Sequence, residues 1–196
     1  MEYTTLIATF YSIEPFMPAA LAYSPNKIVL LVDSSSKEVE ENIEKVKGTF
    51  GKVTRVEVVK VNSNDLYAIA GKTVSIIDME DKNTRIVVNI SGGWRVIATG
   101  MLLGCYARHA RVHEIVTNSN QGNGLLKLPK LGYDLTEAKR AVLEKMAQGG
   151  EKSVAQIAKE LKKTRGMIYQ HLRELRDSGY IDEKFNVTEA GRLALL

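Results

Sequence analysis

Short apolar runs alternate with amphipathic segments over the first two thirds of the chain. Residues 5–10, 27–32, 53–61, 84–90 and 113–117 are rich in Val, Ile and Leu and have the length of buried strands. The segments between several of them repeat apolar residues every three or four positions, which is the period of a helix. This alternation predicts an α/β fold of the Rossmann-like type, with a mostly parallel sheet and helices on both faces.

Polar residues mark where these helices begin. Ser35 and Glu38 have the spacing of a capping box, and Asp65 is placed to cap the next helix. A third helix follows the fourth strand, and its apolar face carries Trp94, Ile97, Met101 and Cys105. The second, third and fourth predicted strands are therefore each followed by a helix that can cross back over the sheet.

Glycine and proline residues divide the chain in two. Gly122 and Gly124 follow the fifth strand but lead into a short apolar segment and not into a helix, so we interpret this region as a turn or mobile loop. Pro129 then interrupts the pattern. The sequence predicts one domain over residues 1–130 and a second, smaller one over residues 131–196.

Two short amphipathic helices separated by a three-residue turn follow in the second domain. Ser153 and Gln156 form a capping box at the first helix, Thr164 is an N-cap for the second, and Gly179 ends it. Their apolar faces carry Val154, Ile157, Ala158 and Leu161 in the first helix and Ile168, Leu172 and Leu175 in the second. Residues 136–147 supply a third helix against which the pair can pack.

The outer face of the second helix carries side chains suited to DNA. It presents Arg165, Gly166, Met167, Tyr169, Gln170, Arg173 and Arg176. In a helix-turn-helix the N-terminal end of the second helix enters the major groove, where Arg pairs with guanine and Gln with adenine. Lys162 and Lys163 in the turn and Thr164 at the helix start complete the predicted DNA-binding surface.

The C-terminal tail extends this motif. Residues 180–182 and 185–188 have the pattern of two short strands with Glu183 and Lys184 at the tip, and Thr188-Glu-Ala-Gly-Arg192 opens a last helix. From about residue 134 onward the chain resembles the winged helix-turn-helix of prokaryotic transcription regulators, which implies DNA binding and makes Lys184 a wing contact. A module that serves only protein contact or dimerisation is the alternative.

Composition limits the remaining possibilities. The chain has 196 residues, 44% of them apolar, and no apolar run reaches the roughly 18 residues of a membrane span, so we expect a cytoplasmic protein. The single Cys105 excludes an internal disulfide. Neither a metal-binding cluster nor a catalytic Ser/His/Asp set is evident. The net charge of +4 is small, so DNA binding is indicated by the local placement of cations and not by bulk charge.

Two loops at predicted strand ends carry candidate ligand-binding residues. One follows the first strand and contains Tyr11 and Ser12; the other, Ser91-Gly-Gly-Trp-Arg95, follows the fourth strand and leads into a helix. Glycine amides, a helix N-terminus and the Arg95 guanidinium together favour a phosphate. A tight turn that needs glycine is the alternative. A nicotinamide or flavin cofactor is not indicated, since no G-x-G-x-x-G follows the first strand.

With the two loops and the winged helix-turn-helix, nearly the whole chain resembles archaeal CRISPR-associated transcriptional regulators with a CARF domain, the CRISPR-associated Rossmann fold. That family forms homodimers that bind a cyclic oligoadenylate, usually cyclic tetra-adenylate, across the two-fold axis. The resemblance implies a ligand site formed by Phe10, Tyr11, Ser12, Ser91, Gly92, Gly93, Arg95, Thr99 and Asn118.

The expected function is a homodimeric, non-enzymatic regulator that binds promoters of CRISPR-associated genes in antiviral defence under control of cyclic tetra-adenylate. Two alternatives stay open. One is a ring nuclease that degrades cyclic oligoadenylate, with Ser12, Glu14 and His109 as conceivable participants. The other is a DNA-binding dimer whose Rossmann domain is an inert scaffold.

Overall fold

A computed structural model describes residues 3–33, 37–119, 124–132, 135–148 and 153–196. The chain divides into two compact units, Met1–Gly132 and Tyr133–Leu196. Ser35, predicted to cap a helix, lies outside the described residues, as does Gly122. Within them, no helix is long and apolar enough to cross a membrane.

The first unit is built on a six-stranded sheet with the order β3-β2-β1-β4-β5-β6. Its strands are β1 (Thr4–Thr9), β2 (Lys27–Asp33), β3 (Arg55–Val61), β4 (Arg85–Asn89), β5 (Val112–Asn118) and β6 (Leu125–Leu128). Strands β1 to β5 are parallel, and the chain order reverses between the neighbours β1 and β4. The predicted mostly parallel sheet is confirmed, with each of its five predicted strands within two residues of its observed bounds.

The sixth strand was not predicted. Strand β6 pairs antiparallel with β5, and the Ser119 amide donates to the Gly124 carbonyl 2.8 Å away, which closes the hairpin. The interpretation of Gly124 as part of a turn agrees with this hairpin, whereas the strand that follows it was not expected. Leu126 is 52% exposed on this edge strand, so no alternation of buried and exposed positions marked it in the sequence.

Helices cover both faces of the sheet, as predicted. They are α1 (Met17–Tyr23), α2 (Lys37–Phe50), α3 (Leu66–Met79) and α4 (Arg95–Ala107). Alternate β1 residues point to opposite faces: Leu6 packs in the core that includes residues of α1 and α2, and Ile7 packs in the core that includes residues of α3 and α4. The predicted Asp65 cap is confirmed, since its carboxylate accepts from the Ala68 amide at 2.8 Å.

Helices α3 and α4 approach closely because α4 has glycine on the contact face. A Cβ atom at Gly100 would lie 2.6 Å from Cγ2 of Ile69, and one at Gly104 would lie 2.7 Å from the Ala70 carbonyl oxygen. Spaced four residues apart, the two glycines form one seam along α4. This seam fixes where α4 lies, and therefore where its N-terminus meets the sheet.

A half-buried ion cluster fastens the hairpin to the sheet. The Glu114 carboxylate accepts from the Tyr23 hydroxyl at 2.7 Å and from Arg85 at 3.0 Å, and it pairs with Lys127 of β6 at 3.0 Å. The Tyr23 and Lys127 hydrogen bonds, with smaller help from Arg85, lower the pKa of Glu114 to about 2. The carboxylate is therefore ionised at neutral pH and holds β5, β6 and α1 together.

Acid is expected to weaken the first unit through Glu114. Because its pKa is lowered in the folded state, its contribution is present above the ordinary value of 4.5 and is lost as the pH falls from there toward about 2. We expect Glu114→Gln to be less stable than the unmodified protein at pH 7, and the difference to be much smaller at pH 2.5, measured by urea unfolding. An equal difference at both pH values would contradict this.

The second unit contains the predicted helices around one small core. They are α5 (Glu137–Ala147), α6 (Val154–Glu160), α7 (Arg165–Asp177) and α8 (Glu189–Ala194). The predicted caps are present at Ser153, with its complete capping box, and at Thr164 and Thr188. The wing is smaller than predicted, because the two expected strands are reduced to a single bridge between Ile181 and Val187.

Candidate ligand-binding and DNA-binding sites

A cavity opens where β1 and β4 lie side by side, at the carboxyl ends of the parallel strands. It has a volume of about 350 Å³ and is lined by Tyr11, Ser12, Pro15, Ser91, Gly92, Gly93 and Trp94. The loops after β1 and β4 supply all of these residues. Such a position, where the chain order of the sheet reverses, is where open α/β sheets bind ligands.

The two glycines of the β4 loop are required by the backbone. A Cβ atom at Gly92 would lie 2.6 Å from the Thr9 carbonyl oxygen, and Gly93 has a φ of +71°. Among the described residues, the amides of Gly92, Gly93 and Trp94 find no hydrogen-bond acceptor. The turn therefore has a structural need for glycine and also leaves unpaired donors at the cavity.

These donors continue into the start of α4. Trp94 is its N-cap and provides no side-chain cap, so the first-turn amides of a 13-residue helix lack the usual acceptor. Beneath the loop, the Thr9 hydroxyl is fully buried without a partner among the described residues. Unpaired amides at a helix N-terminus carry partial positive charge, so this end of the cavity favours an anion.

A hydrogen-bond network holds the two loops together from below. The Asn89 and Asn118 side-chain amides both donate to the Pro15 carbonyl, at 3.3 and 3.1 Å. The Ser91 hydroxyl accepts from the Asn118 amide at 2.9 Å and lies against the Asn89 and Asn118 side-chain oxygens. Ser91 and Asn118 are thus brought together, but their polar groups position the loops and are not free for a ligand. Asn89, fully buried, was not among the predicted site residues.

Carboxylates surround the outer side of the β1 loop. The Tyr11 hydroxyl donates to Glu38 at 2.6 Å, and this hydrogen bond raises the pKa of Tyr11. The Asn42 side chain donates to the Tyr11 carbonyl at 3.1 Å, so α2 holds this lip of the cavity at two points. The pKa of Glu14 is lowered by its own backbone amide and by the Ser12 hydroxyl.

The remaining predicted ligand residues lie at different depths. Phe10 is 1% exposed and packs edge-to-face on Phe16, with ring centres 5.8 Å apart, so its ring cannot line the cavity as expected. Arg95 is the exposed first residue of α4, and its guanidinium has no partner among the described residues. Thr99 is exposed one turn further on and donates to the Arg95 carbonyl at 2.8 Å, away from the cavity lining.

Helix α7 presents the predicted DNA-binding face to solvent. Ile168, Leu172 and Leu175 are buried. Most of the predicted outer face is exposed, namely Arg165, Gly166, Met167, Tyr169, Gln170 and Arg173, whereas Arg176 is half-buried. The Gln170 amide donates to Glu174 at 3.0 Å, and Lys139 of α5 holds the same carboxylate at 2.9 Å. These contacts orient the exposed Gln170 side chain.

The turn before α7 is a compact helix ending. Lys162 has a φ of +52°, and the Lys163 amide donates to the Ala158 carbonyl at 2.9 Å. A residue in the left-handed conformation followed by such a hydrogen bond ends α6 and sets the direction of α7 relative to α6. Thr164 then caps α7 by accepting from the Met167 amide at 3.3 Å. Lys184, the remaining predicted DNA-binding residue, is exposed at the wing tip and therefore lies outside the turn and α7.

Comparison with known families defines the class of the protein. Residues 6–121 match the family model described as HFX_2341_N-like, N-terminal, and residues 136–183 match the helix-turn-helix model of bacterial regulatory proteins of the arsR family. The first match covers more than half of the chain. The chain therefore belongs to the HFX_2341-like family and carries an ArsR-type helix-turn-helix after its Rossmann-like domain. No curated protein matches it significantly.

Solved structures share the fold at low sequence identity. Enterococcus italicus Csm6 bound to cyclic hexa-2'-fluoro-hexa-dAMP superposes with a TM-score of 0.55 and 11% identity, over 94% of this chain and 57% of that one. A type III CRISPR defence DNA nuclease activated by cyclic oligoadenylate gives 0.52 and 15%, over 91% and 34%. Can2 from Sulfobacillus thermosulfidooxidans in complex with cyclic tetra-adenylate gives 0.49 and 14%, over 98% and 57%. The chain spans less than two thirds of each of these proteins. The expected CARF-like Rossmann fold is confirmed.

Proposed function

We propose that this protein is a homodimeric transcription regulator of CRISPR-associated genes whose DNA binding is controlled by a cyclic oligoadenylate, most simply cyclic tetra-adenylate. The observation that carries the proposal is a cavity with unpaired amides, at the switch point of a CARF-like sheet, in the same chain as an ArsR-type helix-turn-helix. The Rossmann-like domain would bind the signal molecule, and the helix-turn-helix domain would bind the promoter.

The chemistry of the cavity suits a cyclic nucleotide. Gly92 and Gly93 line it, and Arg95, which follows the lining residue Trp94 at the start of α4, has a planar cation that fits a phosphate. A volume of about 350 Å³ is small for a ligand with four nucleotides. Two copies related by a two-fold axis would double both the volume and the number of donors, which supports a shared site in a dimer.

We infer that the ligand is bound without being cleaved. Among the described residues that line the cavity, Tyr11 alone carries a titratable side chain, and its hydroxyl is donated to Glu38. Ser12 lies on the same lip, with its hydroxyl directed to the ionised Glu14. Among the described lining residues, backbone donors are available to phosphates, whereas the Tyr11 and Ser12 hydroxyls are already directed to carboxylates.

Calorimetric titration of the protein with cyclic tetra-adenylate tests the ligand assignment. Linear tetra-adenylate and cyclic hexa-adenylate are the controls, and chromatography of the recovered ligand detects cleavage. We expect one cyclic ligand per two chains and an unchanged ligand after incubation. If neither cyclic ligand binds, the sensing proposal is contradicted. Linear products formed with multiple turnover would instead identify a ring nuclease.

Coupling between the domains requires that the ligand bind DNA-competent and incompetent states with different affinity. DNA fragments selected from a random pool, with and without cyclic tetra-adenylate, test this directly. We expect two half-sites spaced by about one turn of the DNA helix or a multiple of it, as for other DNA-binding proteins with two-fold symmetry. Identical affinities at saturating ligand would reduce the protein to a constitutive DNA-binding dimer.

Arg165→Ala is expected to relax sequence preference at one position of each half-site. Loss of a bidentate contact to guanine costs about 1–3 kcal/mol of discrimination. Arg165→Lys keeps the charge but loses the planar fork, so it should retain affinity for mixed-sequence DNA and still lose the preference. Competition binding with single-base variants of the selected site measures both.

The matched control is Lys82→Ala, which removes one exposed cation from the first unit. It should leave the preference unchanged. Lys163→Ala provides the opposite comparison, because losing a phosphate contact weakens binding to all sequences and lowers the salt slope by about one. If Arg165→Ala behaves like Lys163→Ala, Arg165 contacts phosphate and not a base.

A further inference from the structure

The tip of the wing holds an aromatic residue in a conformation that favours glycine. The Phe185 amide donates to the Asp182 carbonyl at 3.0 Å, and the Asp182 amide donates to the Asn186 carbonyl at 2.9 Å. This is the pattern of a three-residue hairpin loop in which a β-turn is followed by a left-handed residue, usually glycine. Phe185 occupies that position with a φ of +63°.

A bulky side chain with positive φ is strained, and the surrounding contacts explain how the conformation is maintained. The Asp182 carboxylate accepts from the amides of Lys184 and Asn186 at 2.8 and 2.7 Å, and from the Asn186 side chain at 3.0 Å. These hydrogen bonds lower the pKa of Asp182, so the carboxylate is ionised and the turn is held at neutral pH. Hydrogen bonds therefore hold this loop in one conformation, in which the backbone of Phe185 is unfavourable.

Packing does not account for the phenylalanine. Its side chain is 45% exposed. Among the residues that the structure describes in this unit, the core is formed by side chains of α5, α6 and α7 with Ile181, and Phe185 is not one of those that pack on it. A residue whose backbone is strained and whose side chain contributes little to the core is a candidate for contact with a binding partner.

The position and charge of the tip indicate which contact. Glu183 lies 4.0 Å from Arg176 in the last turn of α7, so the tip stands beside the helix that carries the DNA-binding face. Asp182 is engaged by the turn, and the Glu183 carboxylate, 90% exposed, offsets the charge of the exposed Lys184 beside it. The tip therefore presents the Phe185 ring next to two exposed side chains of opposite charge, which suits a largely apolar contact.

We propose that Phe185 is a DNA-contacting residue of the wing, with its ring packed against sugars and base edges of the minor groove beside the major groove that α7 enters. Proteins that bind the minor groove use apolar side chains there, phenylalanine among them, and insert them between base steps. The inference rests on the proposed DNA binding. It assigns to the wing an apolar contact in addition to the ionic one expected of Lys184.

Phe185→Gly separates this role from a structural one, because the two readouts move in opposite directions. Glycine accepts the backbone conformation without strain, so the melting temperature should stay equal or rise. Affinity for the duplex selected by the unmodified protein should fall roughly tenfold, since a half-exposed aromatic ring is no longer buried on binding. The dependence of affinity on salt should not change, because no phosphate contact is lost.

Phe185→Tyr and Lys184→Ala complete the experiment. The first keeps the ring and should retain affinity; the second should lower the salt slope by about one. Phe185→Gly binding within twofold of the unmodified protein would overturn the inference, as would a loss of affinity that Phe185→Tyr shares. If the unmodified protein binds neither the selected duplex nor mixed-sequence DNA, the proposed function fails instead.

Discussion

Gly104→Ala is expected to destabilise the first unit by about 1–3 kcal/mol, which is the usual cost of forcing an extra methyl group into a packed core. The new Cβ atom would lie 2.7 Å from the Ala70 carbonyl oxygen and 2.7 Å from the Thr73 Cβ atom. Neither belongs to a flexible side-chain end, so α3 and α4 must move apart. Because α4 also begins at the cavity, ligand affinity should fall together with stability. Urea unfolding followed by circular dichroism measures the first effect.

The same substitution in α2 gives a control with the opposite sign. Around Gly48, in the interior of that helix, nothing lies within 4 Å of an added Cβ atom. Gly48→Ala should therefore stabilise the protein by about 0.5–1 kcal/mol through helix propensity alone. Equal stabilisation by both substitutions would mean that α3 and α4 are not in close contact along the glycine seam.

Helix starts were predictable because their signals are local. A hydroxyl or carboxylate at an N-cap satisfies amides two or three residues later, so Asp65, Ser153 and Thr164 could be identified without knowledge of the fold. The parallel sheet followed from the repeated alternation of strand and helix, which restricts the topology to a few arrangements. These parts of the prediction needed only residues close together in the chain.

The elements that were missed depend on distant partners. Helix α1 has seven residues, begins at Met17 and has Pro18 in its first turn, where the sequence also suits a turn. Its burial against β1 is decided by tertiary packing. Strand β6 exists because β5 offers it a free edge. In its sequence, Leu-Leu-Lys-Leu, two exposed central residues lie between two half-exposed ones, so the strand lacks the alternation of buried and exposed positions that would distinguish it from a loop.

The candidate site shows the same division. The two loops could be located from the sequence, because Gly92, Gly93 and the following helix form a recognisable turn. The roles of single residues could not, because they depend on which side chains meet across the sheet. Ser91 is occupied by Asn118, 27 residues away, and Phe10 turns into the core. An exposed cation at a helix start, by contrast, requires no partner to be recognised, which is why Arg95 remains the strongest predicted ligand contact.

Arg95→Ala is expected to weaken the binding of cyclic tetra-adenylate by about a hundredfold or more, while DNA binding in the absence of ligand stays unchanged. A hydrogen bond to a charged group contributes about 1.5–3 kcal/mol, and a ligand on a two-fold axis would lose one such contact in each subunit. Since the guanidinium has no partner among the described residues, its removal should not affect stability by more than about 0.5 kcal/mol.

Arg55→Ala is the matched control. This arginine is exposed at the amino end of β3, at the opposite end of the strands from the cavity, so its loss changes the net charge equally but should leave ligand affinity intact. Arg95→Lys should give an intermediate loss, because it retains the charge without the planar fork. If Arg95→Ala binds the ligand as tightly as Arg55→Ala, the phosphates are held by the amides of the glycine turn alone. The attraction of Arg95 would then be unnecessary for sensing.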